Sequence, residues 1–179
     1  FLTWQADEVE KAGKILLEHG VTSFLGTIIT QGLGEMHAGI ERLLSSGTPN
    51  LLGIHVEGPF ISEEKRGTHN PTHVREPDKS SFERIIENYE EDIELFTFAP
   101  EVKGGEKLLD WIKSECFAPS IGHSAASYET ALAFVEKGVN SFTHLFNGMK
   151  GIHHRQPGTA GAALTSDAFT GIIADGLHL

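Results

Sequence analysis

Residues 51–60, with the sequence LLGIHVEGPF, constrain the fold of this chain more than any other stretch. The apolar run at 51–56 is bounded by turn formers, a pattern typical of a strand buried on both faces. His55 and Glu57 are two residues apart and therefore lie on the same face of that strand. Because a buried carboxylate is costly unless a cation pairs with it, Glu57 predicts a positively charged partner at the strand end.

Composition narrows the class of protein. A length of 179 residues suits one domain, which we take as 1–179, with 39% hydrophobic and 22% charged residues. The net charge of −11 argues against a nucleic-acid partner. No apolar run is long enough to cross a membrane, so we expect no membrane partner. Cys116 is the single cysteine, which excludes an internal disulfide and favours a reducing, cytoplasmic location.

Strand and helix patterns alternate six times along the chain. The predicted strands are 21–29, 51–57, 93–98, 117–121, 140–143 and 171–174, and the predicted helices are 4–19, 38–44, 80–89, 104–115, 127–137 and 158–164. Such alternation is typical of an α/β protein with a parallel sheet.

Two architectures fit this alternation: an open doubly wound sheet, or part of a (β/α)8 barrel. Glu57, His123, His144 and His178 lie at the C-terminal ends of different predicted strands, and in a barrel those ends meet on the face that carries active sites. Six units cannot close an eight-stranded barrel, which usually needs about 250 residues. We therefore predict a partial (β/α)8 TIM-type barrel of about six βα units. The chain also lacks an initiator Met, so we expect that residue 1 is not its natural start.

Glu57, His123 and His144 are the candidate metal ligands. Two imidazoles and one carboxylate, with an open fourth position, suffice for a catalytic zinc ion, and such an ion would compensate the buried charge of Glu57. Iron and manganese suit the same donors. The alternative is that each residue is separately hydrogen-bonded at its strand end. Their shared placement favours the metal. His55 is interpreted as a core histidine, hydrogen-bonded within the barrel or supporting Glu57.

Two glycine-containing stretches, around 68–70 and 147–158, offer hydrogen-bond donors beside this cluster. Arg155 stands just before Pro157 and Gly158, where a short helix is predicted to begin. An arginine next to a helix N-terminus is a good phosphate receptor. The alternative is an ordinary surface arginine.

Five motifs follow one another along nearly the whole chain: HVEGPF at 55–60, GTHNP at 67–71, GHS at 122–124, THLFNGM at 143–149 and ADGLH at 174–178. In this order they resemble the motifs of the N-acetylglucosamine-6-phosphate deacetylase family, which is part of the amidohydrolase superfamily. The resemblance implies a distorted barrel of the metal-dependent amidohydrolase fold, whose single divalent metal ion is held by Glu57, His123 and His144.

The resemblance also implies a set of substrate contacts. His69 would help to polarise the acetamide carbonyl, and the residues implied to contact the sugar phosphate are Thr68, His69, Asn147, Gly148, Arg155 and His178. Arg155 would pair with the phosphate and reach into the site of a neighbouring subunit, so a homodimer is expected. His178 would touch a sugar hydroxyl.

Two features of the family have no counterpart in the sequence. The first is an early strand with a His-x-His pair. The second is the general acid/base aspartate on the last barrel strand, which is expected downstream of Leu179. Asp167 lies in a superficially similar TSDA segment, but it precedes the strand leading to His178 and is not assigned this role. No acid/base residue is therefore assigned within the chain, and we expect the chain alone to be inactive.

The predicted reaction is hydrolysis of the N-acetyl group of N-acetylglucosamine 6-phosphate, giving glucosamine 6-phosphate and acetate. One alternative is another amidohydrolase that acts on a different N-acyl or cyclic amide. A second alternative is a non-catalytic piece that binds a metal or a sugar phosphate without turning it over.

Overall fold

The computed structural model describes residues 4–178, which form one six-stranded, all-parallel sheet flanked by helices. The strands are β1 Phe24–Ile29, β2 Leu51–Glu57, β3 Ile93–Phe98, β4 Ala118–Ile121, β5 Ser141–Phe142 and β6 Phe169–Thr170. The helices are α1 Ala6–Glu18, α2 Leu33–Ser45, α3 Lys79–Ile86, α4 Gly105–Ser114, α5 Tyr128–Glu136 and α6 Gly158–Thr165, with a short 3-10 helix at Pro71–His73. Among these residues, no helix has the length and apolar character needed to cross a bilayer.

The strands lie side by side in chain order, from β1 to β6. A doubly wound sheet reverses its strand order at a switch point, whereas a singly wound barrel does not. The prediction of a partial (β/α)8 barrel with six βα units is therefore confirmed. Within residues 4–178, β1 and β6 are the two edges of the sheet, so the barrel is open between them.

The last strand is the one whose predicted position is wrong. The apolar run at 171–174 suggested a strand there, but β6 is Phe169–Thr170. Its position follows from pairing with the two-residue β5, in the register Ser141 opposite Phe169 and Phe142 opposite Thr170. The backbone N–H of Gly171 still donates a hydrogen bond to the carbonyl of Phe142, and the chain then leaves the sheet. An apolar run alone could not fix this register, because the neighbouring strand decides it.

Alternation along β2 separates an apolar layer from a polar one. Ile54 and Val56 are fully buried in the apolar cluster that the helices form against the sheet. From α2 this cluster receives Met36, Ile40 and Leu43, which recur at helical spacing on one face. His55 and Glu57 point to the opposite face of the strand, inside the barrel. The sequence pattern thus places polar groups in the interior and apolar groups under the helices.

A chain of hydrogen bonds crosses the barrel interior just below the rim. His55 contacts the Oγ1 of Thr27 at 3.1 Å and the Oγ1 of Thr97 at 2.7 Å. The Thr97 hydroxyl lies 2.7 Å from that of Thr143, which lies 2.7 Å from the hydroxyl of Ser120. Burial lowers the pKa of His55 to about 4. His55 is therefore a neutral core histidine with both ring nitrogens satisfied by hydroxyls, the first of its two expected roles.

Candidate metal centre

Three strand ends deliver the acid and two imidazoles to one point of the rim. Glu57 is the last residue of β2, while His123 and His144 each stand two residues beyond the ends of β4 and β5. Glu57 and His123 are each 7% exposed, and His144 is half-buried. The polar rim therefore sits in a largely water-excluded environment, where unpaired charge is costly.

The donor atoms of these residues converge closely. The Oε1 atom of Glu57 lies 3.0 Å from the Nε2 of His144 and 3.2 Å from the Nε2 of His123. The two Nε2 atoms are themselves 3.2 Å apart. The three ligand atoms therefore lie within 3.2 Å of one another.

Backbone carbonyls determine which nitrogen of each candidate ligand carries the proton. The Nδ1 of His123 lies 2.8 Å from the carbonyl oxygen of Lys65, and the Nδ1 of His144 lies 3.0 Å from that of Asn147. A carbonyl only accepts, so each Nδ1 must donate. In the neutral imidazole this leaves a bare lone pair on each Nε2, which is the form that binds metals.

This arrangement fits a divalent cation. Two imidazole lone pairs and one carboxylate oxygen face each other with no donor among them, so the cluster is repulsive without a positive charge. A tetrahedral zinc ion, with ligands at about 2.0–2.1 Å, separates its ligand atoms by roughly 3.3 Å. The observed separations of 3.0–3.2 Å are close to that value. Two His and one Glu also leave a coordination position open.

Electrostatics keep the carboxylate ionised. Burial pushes the pKa of Glu57 up, but in their protonated forms His123 and His144 donate to the carboxylate, and together with nearby imidazole charge they hold its pKa well below the usual range. Burial lowers the pKa of His144, and its hydrogen bond with Glu57 and the charge of that carboxylate outweigh this and raise it. Both shifts follow from the attraction between the Glu57 carboxylate and a positively charged imidazole, so they favour positive charge at this point of the rim.

His69 enters the cluster with the opposite tautomer. The backbone N–H of Thr30 donates to its Nδ1 at 3.3 Å, so the ring proton is on Nε2, which lies 3.0 Å from the Nε2 of His123. The residue is 3% exposed, and burial lowers its pKa to about 4. His69 is thus a neutral hydrogen-bond donor that points at the cluster, and its hydrogen-bond partner distinguishes it from the two candidate ligands.

Glycine is required where the loop after β5 passes the ring of His123. A Cβ atom at Gly148 would lie 2.8 Å from the Nδ1 of His123, and Gly148 has a φ of +55°. The nearest approach for a Cβ at Gly67 is 3.5 Å, to the Cε1 of the same ring. Gly148, expected to contact substrate, therefore lies directly against a candidate ligand.

The other residues expected to contact substrate are less closely connected to the candidate metal ligands. Asn147 holds His144 through its backbone carbonyl, as described above, while its side-chain amide donates to Leu145. Thr68, Arg155 and His178 are exposed. Arg155 lines a surface cleft beside the start of α6, with residues from the start of α5.

His178 does not directly follow a strand, contrary to the prediction from 171–174. It stands in a turn in which its Nδ1 donates to the Oδ2 of Asp175 at 2.7 Å. Backbone N–H groups of His178 and Leu177 lower the pKa of Asp175 to about 2. The turn is thus stabilised by an ionised carboxylate at its start.

Some groups that shape the site were missed by sequence reasoning. The carbonyls of Lys65 and Asn147 and the N–H of Thr30 act through the backbone, for which no side-chain signal exists. The hydroxyl groups of Thr97 and Ser120 did leave a signal, since both occupy inward positions and each is flanked by apolar residues in its strand. An alternation count on β3 and β4 could have found them.

The fold and this cluster together define a class: a barrel of the amidohydrolase type whose rim carries one Glu and two His that could hold a metal ion. No protein-family model matches the chain. The chain is 39% identical over 176 residues to N-acetylglucosamine-6-phosphate deacetylase of Bos taurus, covering 91% of this chain and 43% of that protein. It is 32% identical over 179 residues to N-acetylgalactosamine-6-phosphate deacetylase of Escherichia coli O157:H7, covering 97% and 48%.

A solved structure agrees with these relatives. The crystallised aspartate-to-alanine variant of N-acetyl-D-glucosamine-6-phosphate deacetylase from Mycobacterium smegmatis, in complex with N-acetyl-D-glucosamine-6-phosphate, matches with a TM-score of 0.90 and 29% identity. The match covers 97% of this chain and 46% of that one. The chain thus spans a little under half the length of the relatives that it matches. Over this span, its sequence and fold are similar to those of the N-acetylglucosamine-6-phosphate deacetylases.

Proposed function

We propose that this chain supplies the metal centre of an enzyme that hydrolyses the N-acetyl group of N-acetylglucosamine 6-phosphate, giving glucosamine 6-phosphate and acetate. The observation that carries the proposal is the pattern of tautomers at the rim. Two histidines present bare Nε2 atoms to an ionised carboxylate, while a third presents an Nε2–H to the same point. The two bare Nε2 atoms and the carboxylate suit a cation. The Nε2–H of His69 suits a developing negative charge on oxygen.

In this proposal, Glu57, His123 and His144 hold a divalent cation. When bound, such a cation polarises an amide carbonyl and lowers the pKa of a water molecule. Zinc is the metal we propose, with iron and manganese as alternatives, because imidazole and carboxylate donors suit all three. The carbonyls of Lys65 and Asn147 keep the two imidazoles in the metal-binding tautomer.

His69 is proposed to stabilise the oxyanion of the tetrahedral intermediate. Its Nε2–H donates towards the cluster, and the N–H of Thr30 fixes the ring so that little reorganisation is needed during reaction. Because burial keeps the imidazole neutral, His69 does not repel a cation held beside it. Proton transfer between water and the leaving amine is assigned to an aspartate after Leu179, on the strength of the family resemblance.

The proposed sugar-phosphate contacts are Thr68, His69, Asn147, Gly148, Arg155 and His178. Arg155 is exposed beside the start of α6, an environment that suits phosphate recognition by a guanidinium and by backbone N–H groups. An exposed arginine can also serve the site of a second subunit, so we propose a homodimer. A cytoplasmic location is in keeping with the single cysteine.

The test is acetate release, measured with the 179-residue chain beside a chain of the relatives' full length. We expect turnover by the longer chain, loss of that turnover on chelation, and a much lower rate with unphosphorylated N-acetylglucosamine. The Arg155→Ala variant should lose most of the preference for the phosphorylated sugar. Equal rates on both sugars would overturn the substrate assignment.

The sugar epimer is tested in the same assay. One similar protein is named an N-acetylgalactosamine-6-phosphate deacetylase, whose sugar differs from the gluco form at one hydroxyl. We expect the gluco substrate to have the higher kcat/KM, in line with the greater identity to the Bos taurus protein. A higher kcat/KM on the galacto substrate would move the assignment to that enzyme while leaving the metal centre intact.

A further inference from the structure

Both histidines of the candidate metal centre have a strained backbone. His123 has a φ of +50° and His144 a φ of +37°, values in the left-handed region. For a residue other than glycine this region costs about 1–2 kcal/mol, and such a conformation persists only where its surroundings enforce it. Groups that hold the loops after β4 and β5 therefore determine where the two Nε2 atoms lie.

Glu101 is a side chain that holds the first of these loops. It stands just after β3, and one carboxylate oxygen accepts from the Oγ–H of Ser124 at 2.7 Å. The other oxygen accepts from the backbone N–H of Ala125. Ser124 is fully buried and directly follows His123, and its Oγ also accepts from the N–H of Ala126. The carboxylate therefore fixes the two residues that come directly after a candidate ligand.

Ser124 transmits this restraint to the second loop. Its N–H donates to the carbonyl of Gly148 at 3.0 Å, and its carbonyl accepts from the N–H of Lys150 at 3.1 Å. Gly148 follows Asn147, whose carbonyl orients the ring of His144. A short series of hydrogen bonds thus joins Glu101 to both imidazoles, although Glu101 contacts neither of them.

We propose that Glu101 is a positioning residue for the metal centre, acting through Ser124 and Ala125 on His123 and His144. The inference rests on the proposed function, because it assumes that these histidines hold a cation. Both carboxylate oxygens are occupied by Ser124 and Ala125, so Glu101 is not itself assigned as a ligand. Its contribution is geometric and does not depend on its negative charge.

Cobalt(II) titration of the purified 179-residue chain tests this inference, because the visible spectrum of bound Co²⁺ reports both affinity and ligand geometry. We expect Glu101→Ala to weaken Co²⁺ binding by about 10- to 100-fold, the range typical for removing groups that orient ligands, and to alter the visible bands. Glu106→Ala is the matched control. It removes a carboxylate that pairs with Lys137 on the surface of α4, and it should leave both readouts unchanged.

Glu101→Gln separates geometry from charge. A glutamine can accept from the N–H of Ala125 through its oxygen and donate to the Oγ of Ser124 through its amide, so it keeps both contacts and loses only the charge. We expect its Co²⁺ affinity to lie within about threefold of the wild type, well above that of Glu101→Ala. An affinity as low as that of the alanine variant would overturn the inference, because long-range attraction would then explain the loss. Alanine and glutamine variants that both match the wild type would overturn it as well.

Urea unfolding of the metal-free variants shows whether Glu101→Ala is folded. If it is not, Ser124→Ala is used in its place, because this variant removes one of the two contacts of Glu101 and leaves the carboxylate in position. We expect this variant to bind Co²⁺ several-fold more weakly, and unchanged binding would count against the inference. Failure of the wild type to bind Co²⁺ would instead overturn the metal centre of the proposed function.

Discussion

The rim around Glu57 differs sharply in burial from the two stretches on either side of α6, 151–157 and 169–178, which we call the later segment. At the rim, a backbone carbonyl fixes the Nδ1 of each candidate histidine ligand, and the carboxylate is almost completely buried. In the later segment, β6 is two residues long, and Phe169 and Leu177 are 79% and 90% exposed. Arg155 and His178 lie on its surface. The chain thus contains a preorganised cluster that could hold a metal ion, whereas the two residues of the later segment expected to contact phosphate and sugar lie on the surface.

We expect this difference to separate the proposed metal binding from the proposed substrate binding. Changes at the rim should alter metal affinity, because each removes a donor or its support. Changes in the later segment should leave metal affinity intact and alter only the handling of the sugar phosphate.

The largest effect is expected for Glu57→Gln. The substitution keeps the shape of the side chain and removes the charge that offsets the cation. Removing one partner of a buried charge pair costs about 3–5 kcal/mol, so Zn²⁺ affinity should fall by a factor between about 10² and 4 × 10³. Chelator competition measures this affinity, with Glu106→Gln as the control at an exposed carboxylate. Retention of stoichiometric, tight zinc would remove Glu57 from the ligand set.

A smaller effect is expected for Gly148→Ala, which should lower both the Zn²⁺ affinity and the stability of the fold. The new Cβ would meet the Nδ1 of His123 at 2.8 Å and would lie 3.3 Å from the carbonyl of Lys65, so it should displace the ring from its backbone partner. Zn²⁺ affinity should drop on the order of tenfold. The left-handed backbone adds about 1–2 kcal/mol of destabilisation.

Gly176→Ala is the matched control for this variant. Gly176 has a φ of +73° and nothing within 4 Å of an added Cβ. It should lower the free energy of unfolding, measured with urea, without changing zinc affinity. Equal losses of zinc affinity in the two variants would show that backbone strain, and not contact with His123, is responsible.

Thr97→Val tests the hydrogen-bonded layer below the rim. Valine keeps the shape of threonine but leaves His55 and Thr143 without their shared hydroxyl partner. We expect the free energy of unfolding to fall by about 1–3 kcal/mol, the usual cost of an unsatisfied buried polar group. Thr165→Val, at the exposed end of α6, should cost less than about 0.5 kcal/mol. Similar losses at both sites would contradict a special role for the layer.

The smallest effect is expected for Arg155→Ala. Because Arg155 is exposed and lies outside the metal cluster, both zinc affinity and the free energy of unfolding should change by less than about 0.5 kcal/mol. Chelator competition and urea unfolding measure the two quantities. A tenfold loss of zinc affinity would erase the distinction between the rim and the later segment.

Much of this architecture was readable from local patterns. The bounds of β2 and β3 agree with the predicted strands 51–57 and 93–98, because long alternating or apolar runs determine strands with little help from context. The grouping of Glu57, His123 and His144 also followed from sequence. Parallel strands place their carboxyl ends on one rim, so three polar residues after three such strands are brought together by topology alone.

Other features were decided only by the tertiary structure. The position of β6 depends on its pairing with β5, and two-residue strands carry too little pattern to set a register. The tautomers of His69, His123 and His144 depend on an N–H and two carbonyls from distant backbone, groups that every residue possesses and that no sequence pattern marks. The sequence therefore determined which side chains meet at the rim. Only packing in three dimensions decided which of their nitrogens present a lone pair to the cluster and which one carries a proton.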